Sequence, residues 1–207
     1  MKKLTKKDVF DSLKHYLTHA NPVFISFIAL APVLAVTNNL DLTVILGVTL
    51  LVVLILTNLT LVFVNDRLSN DMRYLVWFVI IAFYVSIAEM ILQVSNLTAY
   101  ESLGIYVPLL SISVFIITFT LFSKKNQDKT VFVLEASMMG IGFMVTMVIL
   151  AIIRSVITTG AVRLFGIQMR LFDVAYSFTL LDTAFGALLF IGIMSGFFRS
   201  KVKGVQS

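Results

Sequence analysis

The sequence contains no cysteine and few charged residues. Because none of its 207 residues is a cysteine, disulfides, thiolate metal sites and thiol catalysis are excluded. Only 13% of the residues are charged, about half of what is usual in a soluble domain, while 59% are hydrophobic and the mean hydropathy is +1.00. These figures are typical of an integral membrane protein. No polar stretch is long enough to form a second domain.

The sequence also lacks the common signatures of catalysis and of nucleic-acid binding. It contains no phosphate-binding loop, no nucleophile–base pair and no metal-ligand spacing. Its two histidines, His15 and His19, lie four residues apart in the N-terminal segment, where we expect an interfacial role rather than a metal site. The net charge of +5 comes from basic residues scattered through short loops, so it does not indicate nucleic acid as a partner.

Proline is rare, and it falls within two apolar stretches. Residues 21–39 are apolar, but only about fifteen residues separate Pro22 from Asn38, fewer than the roughly twenty of a full crossing, and Pro32 lies inside them. Pro108 lies in a second such stretch, residues 104–122, about halfway along the chain. Paired interrupted spans are typical of an inverted repeat with a site between its halves. We therefore predict two half-helices, whose freed backbone groups are satisfied by protein or by a cavity.

The remaining hydrophobic stretches predict full-length membrane crossings. They are residues 42–64, 74–94, 131–153 and 176–198. Short connections are expected at residues 38–41, 65–73, 96–103 and 123–129, and the longest connection, residues 154–173, is expected to form a short helix along the membrane surface. The predicted fold class is thus all-α, with six transmembrane helices arranged as two inverted three-span repeats. The first span of each repeat is a proline-interrupted half-helix.

The distribution of basic residues orients these spans. Thirteen of the sixteen lysines and arginines lie on the side of the two termini and three on the other side, so both termini are predicted to be cytoplasmic in a multi-pass protein of the cell (inner) membrane. Residues 1–20 are predicted to form an amphipathic helix on the cytoplasmic surface, residues 21–199 the six-span domain and residues 200–207 a basic cytoplasmic tail. Because Pro32 would follow the best cleavage site, we expect no removal of a signal peptide.

Charged residues inside the spans are candidate functional residues because burying them in a bilayer is costly. Glu89, the deepest acid, either belongs to a proton or sodium path or is an interfacial acid bonded to nearby polar residues or to a neighbouring helix. Asp182 lies near the outer end of the last span, where pairing with Arg154 or Arg170 is the favoured interpretation. Glu135 follows a basic loop at a helix N-terminus, and we expect it to be structural.

Uncharged polar and small residues complete the set of candidates. Thr57, Asn58 and Thr60 lie in an aliphatic span, where hydrogen bonds across helices are the favoured interpretation. Small residues spaced at 136–140 and 192–196 allow helices to approach closely, within the protein or against a partner. If an ion path or a midplane site exists, its candidate residues are Pro32, Asn58, Glu89, Pro108 and Asp182.

Several short segments, taken together, resemble one known family. They are residues 29–37, 56–60, 102–109 and 135–142, followed by Arg154, Gly160 and Leu164-Phe165-Gly166. The chain resembles the small paired membrane subunits of the Rnf ferredoxin:NAD oxidoreductase and of the sodium-pumping NADH:quinone reductase. It is most similar to the E subunit of the former and the D subunit of the latter. The resemblance extends from residue 21 to about residue 196.

This resemblance implies a partner and a cofactor as well as a fold. It implies a homologous membrane subunit of opposite orientation, and further redox subunits. In the family, a cysteine before the first half-helix proline and another in the second half-helix join two from the partner to hold a [2Fe–2S] cluster. The corresponding positions here are Ala31 and, approximately, Val114. An iron–sulfur cluster needs thiolate or occasionally imidazole ligands, which this chain does not offer there.

The sequence therefore favours a membrane subunit of an Rnf- or Nqr-like ion-translocating electron transport complex. It would act as a scaffold or an ion-path subunit, would not itself ligate [2Fe–2S] and would have no catalytic residue. A flavin, a quinone or an iron–sulfur cluster would then belong to partner subunits. Two alternatives stay open: a transporter or channel without redox chemistry that keeps the inverted-repeat fold, and a membrane anchor for flavin- or quinone-dependent machinery.

Overall fold

A computed structural model describes residues 12–14, 16, 17, 21, 23, 30–122, 129–170 and 183–203. Most of these residues are helical, and one short hairpin of two strands is present. The long helices carry large exposed apolar side chains, such as Phe63, Phe83 and Met90, where a protein in water would carry polar ones. The chain is an α-helical membrane protein, as its composition predicts.

The elements follow one another along the chain with short connections. They are α1 (Leu30–Val36), α2 (Leu40–Val64), a 3-10 turn (Asn65–Arg67), α3 (Asn70–Ser95), α4 (Leu97–Leu103), α5 (Tyr106–Phe122), α6 (Lys129–Thr159), β1 (Ala161–Leu164), β2 (Ile167–Arg170) and α7 (Ala184–Lys203).

Within the described residues, three helices are long and apolar enough to cross a membrane. They are Leu40–Val64, Met72–Ser95 and Lys129–Thr159, and they confirm three of the predicted full-length crossings. Helices α4 and α5 form a pair bent by 68°, which would be a fourth span, and α7 contains the shorter apolar stretch Phe185–Gly196. The predicted N-terminal helix and the start of the last crossing lie largely outside the described residues.

Helices α2 and α6 form the centre of the packing, and α3 packs against both α2 and α5. Two glycines bring α2 and α6 together. A Cβ added at Gly140 would lie 3.0 Å from Leu54 Cδ2, and one added at Gly47 would lie 3.0 Å from Met144 Cγ. Ala136 is fully buried on the same helix as Gly140. The small residues at 136–140 therefore serve packing within this chain.

The second proline-marked stretch is interrupted, but not at its proline. The break is at Gly104, whose φ of 47° suits glycine, and Pro108 is the third residue of an otherwise continuous α5. The first N–H groups of a helix have no intrahelical acceptor, so proline is tolerated there. Residues 97–103, predicted to be an irregular turn, form a helix whose N-cap, Asn96, accepts a hydrogen bond from the Ala99 N–H (3.0 Å).

The long connection after the fifth predicted span also differs from expectation. Helix α6 continues through Arg154 to Thr159, and residues 161–170 form an antiparallel hairpin in which Leu164 is opposite Ile167. The prediction of a surface helix in residues 154–173 is therefore wrong. Apolar and polar residues alternate over residues 162–164 and 167–170, with the period of two that favours a strand over a helix.

Candidate functional site

The C-terminal end of α1 is bound by a buried arginine from another helix. Arg154 of α6 is 1% exposed, and its Nη1 donates hydrogen bonds to the Leu34 carbonyl (3.2 Å) and to Thr37 Oγ1. The end of a helix where carbonyls lack partners carries a partial negative charge, which the guanidinium complements. The sequence pattern placed Arg154 in a loop, so this role was missed.

Threonine hydroxyls bind further carbonyls at the same helix end. Thr37 Oγ1 donates to the Val33 carbonyl (2.6 Å), and Thr43 Oγ1 of α2 donates to the Val36 carbonyl (2.9 Å). Together with the bond from Arg154, side chains bind three of the last four carbonyls of α1, and the Val33 and Val36 carbonyls also accept backbone N–H groups from Thr37 and Asn39. The prediction that protein groups satisfy the backbone of this short helix is confirmed at this end.

Two described residues before α1, Tyr16 and Asn21, contact α6. The Tyr16 hydroxyl donates to Glu135 Oε2 (3.0 Å), and a Cβ added at Gly142 would lie 3.3 Å from the Cβ and the carbonyl oxygen of Tyr16. Further along, Asn21 Nδ2 donates to Thr146 Oγ1 (2.8 Å). Glu135 thus has the structural hydrogen bond expected of it, although it is the seventh residue of α6 and lies beyond the first turn, where the helix dipole acts.

These contacts show over what length of α6 the first proline-marked segment makes contact. Tyr16 contacts α6 at Glu135 and Thr37 contacts it at Arg154, nineteen residues later in one continuous helix. At 1.5 Å per residue, that separation is about 28 Å. The hydrocarbon core of a bilayer is about 30 Å thick. The contacts of residues 16–37 therefore extend over a length of α6 comparable with the bilayer core.

Glu89 is hydrogen-bonded to a neighbouring helix. The carboxylate is partly buried on α3, and its Oε1 accepts a hydrogen bond from the Tyr100 hydroxyl of α4 (3.2 Å). The nearby Ser95 hydroxyl donates instead to the Ile91 carbonyl (2.6 Å). The geometry therefore agrees with an interfacial acid bonded to a neighbouring helix, and membership of an ion path stays a prediction.

Three buried oxygens in α2 and α5 lack a hydrogen-bond partner among the described residues. They are Thr57 Oγ1, Asn58 Oδ1 and Thr118 Oγ1, and all three side chains are fully buried. Asn58 Nδ2 donates to the Leu54 carbonyl of its own helix (2.7 Å). The predicted bonds across helices are thus wrong for Thr57 and Asn58. An unsatisfied buried polar group costs about 1–3 kcal/mol, which marks this region as a candidate site.

The contacts of Trp77 fix the relative depth of these oxygens. Trp77 Nε1 donates to Asn65 Oδ1 (3.3 Å), and its ring centroid lies 4.4 Å from that of Phe122, so the C-terminal ends of α2 and α5 are level. Measured along the helices from that level at 1.5 Å per residue, Asn58 lies about 10 Å away and Thr118 about 6 Å away. Helices α2 and α5 are in contact, and the unpartnered oxygens lie within about one helical turn of each other in depth.

The structure does not bring all five predicted site residues together. Pro32 is buried in α1, which packs against α5, but Pro108 is exposed at the start of α5. Asn58 is inside α2, and Glu89 bonds to α4. Asp182 lies outside the described residues, so its predicted pairing with Arg154 or Arg170 is untested. The described residues also contain no group of three or more His, Cys, Asp or Glu side chains that could hold a metal ion.

Comparison with known proteins identifies the family. Residues 9–198 match the family model described as "Rnf-Nqr subunit, membrane protein". The chain belongs to the Rnf-Nqr family. Similar curated proteins are named as the E subunit of an ion-translocating oxidoreductase complex. That of Buchnera aphidicola subsp. Baizongia pistaciae is 26% identical over 185 residues, which cover 84% of this chain and 76% of the relative.

Two Vibrio proteins with the same name are similarly related to this Rnf-Nqr chain. The protein of Vibrio cholerae serotype O1 is 28% identical over 187 residues, covering 84% of this chain and 80% of the relative. The protein of Vibrio vulnificus is 27% identical over 205 residues, covering 93% of this chain and 85% of the relative. The similarity therefore extends over most of both chains and is not confined to one motif.

The family resemblance assigns the cluster cysteines to the positions of Ala31 and, approximately, Val114. The residues at these positions do not fit an iron–sulfur cluster. Ala31 directly precedes Pro32 in α1, and Val114 is fully buried in the hydrophobic core of α5. Neither an alanine nor a valine side chain can ligate iron, and the whole chain contains no cysteine. At these two positions this Rnf-Nqr chain therefore offers no donor atom for a [2Fe–2S] cluster.

Proposed function

We propose that this chain is a membrane subunit of an ion-translocating oxidoreductase complex, to which it contributes helices and not cluster ligands. The observation that carries the proposal is the family match over residues 9–198. A short helix with its carbonyls bound by Arg154 and threonines is consistent with a retained family scaffold. The cofactors of the complex, whether a flavin, a quinone or an iron–sulfur cluster, would belong to partner subunits.

The proposed architecture has six spans in two inverted repeats. The contacts of residues 16–37 along about 28 Å of α6 support a crossing by the first segment. The bent pair of α4 and α5 occupies the corresponding position in the second half of the chain. Six crossings, with the basic loops on the side of the termini, would place both termini in the cytoplasm and the protein in the inner membrane.

The proposed partner is a homologous membrane subunit of opposite orientation. Support comes from α7, where a Cβ added at Gly192 or Gly196 would meet no described atom within 4 Å. Glycines four residues apart allow the backbones of two helices to approach closely. Because these glycines do not pack within the described part of the chain, they leave a surface that suits a neighbouring helix.

An ion path is the second role that an observation favours. The oxygens of Thr57, Asn58 and Thr118, which lack a partner among the described residues, offer the ligand type that hard cations prefer and lie within about one helical turn in depth on two contacting helices. Polar groups inside spans commonly mark ion pathways. The wider path would include the remaining candidates, Pro32, Glu89, Pro108 and Asp182. The same path could operate in a transporter or channel without redox chemistry.

Purification of the native assembly tests membership of a redox complex. An affinity-tagged chain should co-purify with a second membrane subunit and with redox subunits that retain their cofactors. After the subunits are separated, iron and flavin should remain with the partners and be absent from the tagged chain. A tagged chain that purifies without any redox protein would contradict the proposal.

Ion flux into liposomes separates the candidate roles. A transporter or channel would move ions with this chain alone, whereas a subunit of a redox complex would do so only with its partners and a reductant. An anchor would bind flavin- or quinone-dependent partners but show no flux. If the buried oxygens line the path, Asn58→Leu should reduce flux severalfold. Thr60→Val is the matched control, because the Thr60 hydroxyl bonds to Tyr84 (2.7 Å).

A further inference from the structure

The hairpin of residues 161–170 has one apolar and one polar face. The register pairs Val162 with Met169 and Leu164 with Ile167 on one face, and Arg163 with Gln168 on the other, where Arg170 follows. On the apolar face Ile167 is 70% and Met169 65% exposed. Phe165, at the turn, is 63% exposed. A small sheet that exposes its apolar face in this way is unstable in water unless something covers that face.

The hairpin lies at the level where the apolar surface of the helices begins. The Phe165 N–H donates to Asp41 Oδ1 (2.7 Å), and Asp41 is the second residue of α2, followed directly by the aliphatic part of that helix. Strand β1 also contacts α2 and α6. The turn therefore does not project away from the membrane helices but folds against the polar end of one of them.

The backbone conformation at the tip of the hairpin is unusual for a phenylalanine. The central residues, Phe165 and Gly166, have φ values of 44° and 88°, the positive pair that a type I′ turn requires. Asparagine or glycine adopts the first of these positions without strain, and phenylalanine does not. A strained aromatic residue at an exposed tip indicates that its side chain contributes something that asparagine would not.

We infer that this hairpin is an interfacial anchor, whose apolar face and Phe165 enter the boundary between phospholipid headgroups and acyl chains. Its depth beside Asp41 places it at that boundary. The hairpin has apolar side chains on one face and arginines on the other. This arrangement matches the membrane interface, where acyl chains lie on one side and phosphate groups on the other. The hairpin would fix the depth and tilt of α2 and α6 in the bilayer.

Single-cysteine labelling tests the inference, since the chain has no native cysteine. Ile167→Cys reports the apolar face and Arg170→Cys, as the matched control, the polar face. Each full-length variant, with any co-purifying subunits, is labelled with an environment-sensitive fluorophore, and the signal of the unsubstituted protein labelled in the same way is subtracted to remove labelling of the partners. It is then reconstituted into vesicles of phosphatidylethanolamine and phosphatidylglycerol that carry nitroxides near the top of the acyl chains. Met169→Cys replaces Ile167→Cys if the latter does not fold.

The label at position 167 should be quenched severalfold more by the nitroxide lipids than the label at position 170, and less by aqueous iodide. Equal quenching of the two labels by iodide would place the hairpin in water and overturn the inference. Protection of the label at position 167 from both quenchers would show that protein, and not lipid, covers the apolar face. That result would also overturn it.

Discussion

The two proline-marked segments are both apolar, but the structure stabilises them in different ways. The first contains α1, whose last carbonyls are bound by Arg154 of α6 and Thr43 of α2. The second bends at Gly104, whose own N–H donates to the Tyr100 carbonyl (2.9 Å). The first segment therefore depends on side chains from other helices, and the second on a local backbone conformation. Proline marks both segments, but in the second the bend is at Gly104 and not at Pro108.

The difference teaches how an interrupted helix is stabilised inside a membrane protein. A helix end within the protein interior needs donors for its carbonyls, and water is not available to provide them. In the first segment one donor is distant, Arg154 for the Leu34 carbonyl, and others are closer in sequence, such as Thr43 for the Val36 carbonyl. In the second, a glycine conformation and a polar N-cap suffice. The two segments should therefore respond differently to substitution.

The largest effect is expected for Arg154→Ala. The substitution removes two hydrogen bonds from a charged donor, each contributing about 1.5–3 kcal/mol, and leaves a buried carbonyl without that donor. We expect the free energy of unfolding in detergent to fall by roughly 3 kcal/mol or more. Arg154→Lys should lose less because it keeps the charge. The exposed Arg67→Ala is the control, and an equal loss there would contradict the role of Arg154.

A smaller effect is expected for Gly104→Ala in the second segment. Alanine at a φ of 47° is strained, so the substitution should cost about 1–3 kcal/mol. Gly192→Ala is the control, because its Cβ would meet no described atom within 4 Å, and it should be neutral or slightly stabilising in the isolated chain. Thermal unfolding of both variants measures the difference. Similar midpoints would mean that the bend does not depend on Gly104.

The effect of Thr43→Val should be smaller still. The substitution keeps the side-chain shape and removes the hydroxyl that binds the Val36 carbonyl, so we expect a loss of about 1 kcal/mol. The control is Thr49→Val, because the Thr49 hydroxyl binds the Ile45 carbonyl of its own helix, whereas the Thr43 hydroxyl lies within hydrogen-bond distance of both the Asn39 carbonyl (2.7 Å) and the Val36 carbonyl of α1. An equal loss of unfolding free energy in both variants would show that the bond from Thr43 to the Val36 carbonyl adds no stability of its own.

The smallest effect is expected for Pro108→Ala. Pro108 is exposed and is the third residue of α5, so alanine adds only an N–H that has no intrahelical acceptor. The change in unfolding free energy should stay within about 0.5 kcal/mol. A loss of several times that size would show that the second segment depends on its proline after all.

Hydrophobic length predicted the long helices but not their ends. The span at residues 131–153 was placed correctly because its apolar run is long. Its predicted end before Arg154 was wrong, because a charge was taken to mark the membrane boundary. The helix continues because the guanidinium is buried against α1, a contact that depends on tertiary structure. The unpartnered state of Asn58 Oδ1 likewise depends on packing. Neither fact is visible in one sequence.

The hairpin, by contrast, could have been predicted. Residues 162–164 and 167–170 alternate between apolar and polar, and the Phe165-Gly166 pair between them has the length of a tight turn. The strands are only four residues each, so hydropathy averaged over a longer window does not show them. The absence of cluster ligands needed no structure, because it follows from the missing cysteines.

The accessibility of two introduced cysteines tests most directly whether the first proline-marked segment crosses the bilayer. Ser12→Cys and Asn38→Cys lie on either side of it, and the chain has no other cysteine to label. In intact cells a membrane-impermeant maleimide should label the cysteine at position 38, and it should label that at position 12 only after permeabilisation. Labelling of both from the same side would contradict a crossing and, with it, the six-span scaffold.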